Sequence, residues 1–158
     1  MQWAGLITPG AAILDVAAGN GRHSRFFAER GHRVTCIDRV VSALPRDLGL
    51  EIVQADLESG SPWPLPGRTF GGIVVTNYLH RPLFPALLDA LAPQGVLIYE
   101  TFMEGNERFG RPSNPDFLLK DGELLEVVRA RLSVTAYEAR LISEPRMAMV
   151  QRIAARLR

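Results

Sequence analysis

The residues best suited to chemistry in this sequence are three aspartates, each at the end of an apolar run. Asp15 opens the stretch Asp15-Val16-Ala17-Ala18-Gly19-Asn20-Gly21-Arg22, directly after Ala11-Ala12-Ile13-Leu14. Small residues from Ala17 to Gly21 let the backbone approach a bound molecule, and glycine adopts the dihedral angles such a turn requires. Asp38, followed by Arg39, ends the next apolar run, near the spacing at which an acid grips ribose hydroxyls. A carboxylate accepts hydrogen bonds from both hydroxyls, so one acid orients a whole nucleoside. Asp56, followed by Leu57, ends the third run and is placed to accept from an adenine amino group. Ligands of open α/β sheets bind beyond the carboxyl ends of the strands, so acids ending three consecutive strands face one crevice. Each aspartate alone is equally well explained as a helix cap or turn former. Their recurrence at equivalent strand ends is what points to a ligand.

The elements that must position these residues follow from the hydrophobic pattern. Ala11 to Val16 predicts a strand buried on both faces, and Arg22 opens a helix that stops at Gly31. Arg33 to Ile37 is a second strand. Val40 to Leu50 contains Pro45 and has room only for a short helix. Glu51 to Ala55 is a third strand, followed by a Pro-, Gly- and Ser-rich loop from Ser59 to Arg68. Phe70 to Thr76 is the fourth strand. A helix with Pro82 in its first turn carries Leu83, Ala86, Leu87, Ala90 and Leu91, and Val96 to Phe102 is the fifth strand. Met103 to Leu119 has no clear period and is expected to be a mobile lid at the ligand edge. Asp121 is expected to cap a helix carrying Leu124, Val127 and Val128. Leu132 to Tyr137 and Met147 to Ile153, joined near Pro145, predict an antiparallel pair. The expected fold is therefore α/β: a doubly wound, mostly parallel, seven-stranded sheet with an antiparallel C-terminal strand pair. It forms one domain over residues 1–158.

Composition narrows the function classes. The chain has 158 residues, 47% of them hydrophobic, and a net charge of +1, so no global charge draws it to nucleic acid or an anionic membrane. Its basic residues are arginines apart from Lys120, which reads first as a compositional bias. Cys36 is the single cysteine, so neither an intramolecular disulfide nor a clustered thiolate zinc site forms from this chain. In Val34-Thr35-Cys36-Ile37 it reads as a small buried hydrophobe. No run approaches the ~20 apolar residues of a membrane span, and the first residues lack a signal-peptide pattern; a cytoplasmic location is expected.

These motifs together resemble the class I S-adenosylmethionine-dependent methyltransferases, and the resemblance covers almost the whole chain. Ile13 to Gly21 is similar to the family's first motif, whose backbone lies under the methionine part of the donor. Asp38 matches its ribose acid and Asp56-Leu57 the pair beside adenine. Asn77 to His80 falls where the fourth-strand motif faces the reacting methyl group. Leu91-Ala92-Pro93-Gln94-Gly95 resembles the family's leucine–x–proline–glycine–glycine turn, with Gln94 in place of one glycine. Phe117 to Leu124 resembles a segment of the small-molecule, tellurite-resistance-like branch. Ala17 stands in place of the motif's first glycine. Only about ten residues precede the first strand, where relatives carry a helix over the donor, so that covering helix is expected to be short or missing. A nicotinamide site is the competing reading of Gly19-Asn20-Gly21, but Ser24 departs from that fingerprint and little chain remains for a second domain.

The resemblance implies S-adenosylmethionine as cofactor, S-adenosylhomocysteine as product, and in-line methyl transfer to a small-molecule acceptor. Asp15, Ala17, Ala18, Gly19, Asn20, Gly21, Arg22, Asp38, Arg39, Asp56, Leu57 and Asn77 are the expected donor contacts. His80 is the candidate base, histidine being the side chain type best suited to proton transfer near neutral pH, and its alternative role is to cap the following helix. Tyr78 is placed to close over donor or acceptor. His23 and Arg22 are candidates for the donor's carboxylate end. His32 is expected to be exposed, and Glu100 faces either the crevice or solvent. No nucleic acid or membrane partner is expected, and a homodimer is compatible with the sequence. The alternatives are a non-catalytic donor-binding or regulatory module and an RNA methyltransferase.

Overall fold

A computed structural model describes residues 2–158. Seven strands form one sheet in the order β3-β2-β1-β4-β5-β7-β6. They are β1 (Ile13–Val16), β2 (Val34–Asp38), β3 (Glu51–Gln54), β4 (Phe70–Thr76), β5 (Leu91–Phe102), β6 (Leu132–Ile142) and β7 (Ala148–Leu157). The first five run parallel, and β7 pairs antiparallel with both β5 and β6. This is the Rossmann-like methyltransferase architecture that the sequence predicted.

The helices are α1 (Arg22–Ala28), α2 (Phe84–Asp89) and α3 (Glu123–Val128). The alternating side chains of the central strands create two cores. Leu14, Val16, Ile73, Val75 and Leu97 pack with Leu87 of α2 and Leu124 and Val128 of α3. Ile13, Cys36, Val74 and Ile98 pack on the opposite face with Phe27 of α1 and Ile7. The sheet is thus doubly wound, because adjacent positions on one strand serve opposite layers.

Several local expectations change. The segment between β2 and β3 forms turns and no helix; Leu44 of that segment is buried, and Leu44 with Pro45 packs against Gly21. β5 begins at Leu91 rather than Val96, since Leu91 pairs with Phe70 before a register shift lets Val96 pair with Gly72. Asp121 does not cap α3. Gly122 is the N-cap residue, in a left-handed conformation, with no side-chain cap bond. Glu123 itself accepts from the Lys120 N–H at 2.8 Å. His32 is half-buried, its Nδ1 2.9 Å from the Ala11 carbonyl and its ring edge-on to Phe27.

Residues 103–119 are better tethered than a mobile lid. Asn106, 2% exposed, donates to the Pro112 carbonyl and accepts from the Met149 N–H. Arg81 donates to the carbonyls of Asp116 and Leu118 while pairing with both carboxylate oxygens of Glu123 at 2.7 and 2.9 Å. Those bonds tie the segment to the turn after β4 and to α3.

Candidate active site

The loop from Ala17 to Gly21 leaves the carboxyl end of β1, between β2 and β4. Its path depends on left-handed residues: φ is +53° at Ala17, +57° at Gly19 and +75° at Gly21. At Gly21 the absence of a side chain is also a packing requirement, since a Cβ there would lie 2.7 Å from Pro45 Cδ. At Gly19 a Cβ would meet nothing within 4 Å, so there it is the positive φ rather than packing that favours glycine.

Asp38 locks this loop. One carboxylate oxygen accepts from the Gly19 N–H at 2.8 Å and the other from the Val40 N–H at 2.9 Å. Each oxygen retains a further lone-pair direction, so the group is held in place with accepting capacity left for a vicinal diol. Asp56 is ordered similarly: Oδ1 accepts from the Glu58 N–H at 2.9 Å. Ala17, Asp38, Arg39, Asp56, Leu57 and Tyr78 line one cavity of about 270 Å³. The nucleoside-binding candidates therefore converge.

Asp15 lies beneath this cavity rather than in it. It is 2% exposed and accepts from the Ser24 hydroxyl at 2.5 Å, which in turn accepts from the Cys36 thiol at 3.0 Å. Burial raises the Asp15 carboxyl to about 6 against the hydrogen bonds from Ser24. The same burial pushes the Cys36 thiol up to about 11, leaving it unreactive at neutral pH.

A second cavity, about 300 Å³, flanks the same loop and the turn after β4. Its lining includes Trp3, Arg22, His23, Thr76, Asn77, Glu100, Arg146 and Arg152. Asn77 sits at φ +54°, and its N–H donates to the Glu100 carbonyl at 2.9 Å, which fixes the turn to β5. The Thr76 hydroxyl is buried and has no partner among the described residues. The His23 Nε2 lies 3.2 Å from Arg22 Nη2. Burial first, and then the Arg22 guanidinium, hold His23 down at about 4, so its ring is neutral at neutral pH. Glu100 does reach this cavity, with an oxygen 2.6 Å from Arg152 Nε. That pair is a charge contact rather than an aligned hydrogen bond, since the Arg152 Nε–H finds no acceptor in line among the described residues.

The two candidate catalytic residues do not share a cavity. Tyr78 faces the Asp38–Asp56 cavity, where burial, then Glu58, Asp56 and Asp38, raise its phenol well above the ordinary value. It is a hydroxyl contact at neutral pH, not a base. His80 lines a separate groove with Trp63, Pro82 and Ala86 that borders the first cavity at Asp56 to Glu58. It is the N-cap residue of a 3-10 turn, Arg81–Leu83, and makes no side-chain cap bond. Trp3, Thr76, Arg146 and Arg152 were not singled out by sequence reasoning. Arg152 is recognisable only once strand register sets it opposite Glu100.

Sheet order defines a Rossmann-like methyltransferase fold, and the glycine loop with Asp38 and Asp56 is its candidate donor site. A family profile described as a methyltransferase domain matches residues 14–98. The chain belongs to the methyltransferase-domain family, whose donor is S-adenosylmethionine. Among solved structures it resembles TehB from Haemophilus influenzae, with TM-score 0.79 and 17% identity over 98% of this chain and 60% of that one. It also resembles the 1,6-didemethyltoxoflavin-N1-methyltransferase of Burkholderia thailandensis, solved with its acceptor and S-adenosylhomocysteine. There the TM-score is 0.68 and identity 22%, over 93% of this chain and 71% of that one. The [4+2]-cyclase SpnF is a further neighbour, with TM-score 0.72 and 16% identity over 94% and 74% of the two chains. The present chain thus spans three-fifths of the TehB chain. No curated protein sequence matches it.

Proposed function

We propose that this protein transfers the methyl group of S-adenosylmethionine to a small-molecule acceptor. The observation that carries the reading is the fixed Asp38 carboxylate, held by the Gly19 and Val40 N–H groups in a cavity that also takes in Asp56 and Tyr78. Asp38 would hold the ribose, Asp56 and Leu57 the adenine, and the Ala17–Arg22 backbone the methionine part. The Thr76 hydroxyl, without a partner among the described residues, fits a polar group of a ligand in the second cavity. When bound, the donor supplies a sulfonium methyl for in-line displacement.

The residues around the second cavity would orient the acceptor, and positioning supplies much of the rate of such a displacement. Asn77 and Thr76 form part of that cavity's wall. His23, a neutral and weakly basic ring in that cavity, and His80, in the groove that borders the Asp38–Asp56 cavity, are the two imidazoles to be tested for taking the acceptor's proton. A cavity of about 300 Å³ suits a metabolite rather than a macromolecule, and the toxoflavin-precursor enzyme shows this fold paired with such a substrate. The placement is cytoplasmic in this reading. SpnF shows that the fold also serves other chemistry, and an RNA substrate would produce a steep salt dependence of binding.

The test is calorimetry with S-adenosylhomocysteine, followed by transfer of labelled methyl to a metabolite extract. Charge-assisted hydrogen bonds contribute roughly 1.5–3 kcal/mol, so Asp38→Ala should weaken donor-product affinity about tenfold or more. Unchanged affinity in that variant would remove the ribose assignment. Labelled RNA but no labelled metabolite would remove the small-molecule reading.

A further inference from the structure

The second cavity carries charge that the protein itself does not neutralise. Arg152 faces Glu100 at 2.6 Å and Glu138 at 3.5 Å, and Arg140 also pairs with Glu138. These cations are offset locally. Arg22 and Arg146 are not: among the described residues neither has a carboxylate within ion-pair distance. Arg22's neighbour is His23, which is neutral and offers no negative charge.

Arg146 is moreover held in place. It comes from the connection between β6 and β7. One terminal nitrogen donates to the Arg111 carbonyl at 2.8 Å, and the guanidinium sits 5.5 Å from the Phe102 ring centroid. A guanidinium tethered through one nitrogen near an aromatic ring has its remaining N–H groups left to donate, and their planar fork matches a carboxylate. The same cavity also has apolar wall residues, among them Ile98, Phe102, Ile142 and Val150.

We infer that the acceptor is a small carboxylate whose anionic group is held by Arg146 and whose apolar body lies against Phe102, Ile142 and Val150. Arg22, in the first turn after the donor loop, is left for the donor's own carboxylate. This assignment rests on the methyltransferase reading for the identity of the ligand as an acceptor. The anion preference itself rests on the two uncompensated arginines.

The experiment is calorimetric titration of the whole chain with benzoate and with benzamide, which match in shape and differ in charge. S-adenosylhomocysteine is present at saturation so that Arg22 is already engaged. Benzoate should bind at least about tenfold tighter than benzamide, the range expected for charge-assisted bonds. Arg146→Gln should remove that preference while leaving benzamide and S-adenosylhomocysteine affinities unchanged, and Arg146→Lys should retain part of it. Arg146 is exposed, so these variants should fold. Equal affinity for the two probes, no benzoate binding at millimolar concentration, or full benzoate affinity in Arg146→Gln would each overturn the inference. Failure of S-adenosylhomocysteine to bind would instead overturn the methyltransferase reading, so the two failures are separable.

Discussion

Asp15→Asn isolates the energetic cost of placing a carboxylate beneath the donor loop. Asp15 is 2% exposed, and its partners are the Ser24 hydroxyl and backbone N–H. Burial outweighs those bonds and lifts the carboxyl from its ordinary 3.8 to about 6, with Asp38 adding to the rise and Arg22 opposing it. A carboxyl raised on folding binds its proton more tightly in the native than in the unfolded chain. Its contribution to stability is therefore fully present below pH 3.8 and is lost as pH climbs towards 6. At 1.36 kcal/mol per tenfold change in proton affinity, the span from 3.8 to about 6 corresponds to roughly 3 kcal/mol.

Asparagine keeps the shape and an acceptor for Ser24 but does not titrate. The difference in unfolding free energy, wild type minus Asp15→Asn, should therefore fall by roughly 2 kcal/mol between about pH 4 and pH 7, the rest of the span lying below pH 4. Taking the difference cancels the carboxylates common to both proteins. Urea unfolding at several pH values measures it, provided the denaturant slopes agree. Any fixed cost of orienting the asparagine amide moves the difference by a constant and leaves its pH dependence intact. Two stability curves that stay parallel across this range would refute the argument that burial dominates at Asp15.

Three further outcomes are expected. If His80 takes the acceptor's proton, His80→Ala lowers single-turnover rate about a hundredfold at unchanged donor affinity; if His23 does, His23→Ala shows that loss and His80→Ala does not. Ala17→Gly and Gln94→Gly should each raise unfolding free energy by about 0.5–1 kcal/mol, since both positions have positive φ; chemical denaturation measures the gain. Amide exchange should be slow at Glu104 and Leu119, which donate to Leu119 and Phe102 carbonyls, and fast in 110–114, with or without ligand.

The sheet was legible because β1, β2 and β4 are nearly continuous buried apolar runs, a pattern that parallel strands demand. That Asp38 and Asp56 line one cavity was legible for a related reason: a strand end in such a sheet has a fixed place relative to its carboxyl edge. Asp15 misled because an acid at the last turn of an apolar run looks the same whether it points up into a crevice or sideways to Ser24. The second cavity was illegible, because its wall joins Arg22 and Thr76 to Glu100, Arg146 and Arg152. Only the antiparallel register of β5 with β7 brings Glu100 opposite Arg152. His80 was placed by its distance along the chain from β4. The loop bearing Trp63 then closes a groove around it, a long-range contact that no periodicity encodes.

The two departures from the family motifs share one physical cause, and it bears on whether the site is degenerate. Ala17 and Gln94 each stand where the family motif has glycine, and they have φ of +53° and +62°. Glycine at such positions serves the backbone rather than the ligand, because a left-handed conformation costs an L-residue roughly 1–2 kcal/mol. The path of the loop nevertheless survives at Ala17. Ala18 N–H donates to Ile37 at 3.1 Å, Gly21 N–H to Ala18 at 2.9 Å and Gly19 N–H to Asp38 at 2.8 Å. Alanine there is thus a charge against stability and not a change in the shape of the donor loop. Gln94 lies at the far end of β5's opening turn, where its carbonyl accepts from Arg156 at 2.8 Å, away from both cavities. Substitution at these two glycines therefore gives no support to a non-catalytic module, since neither one alters a group that the donor or acceptor would touch except the Ala17 methyl at the cavity wall.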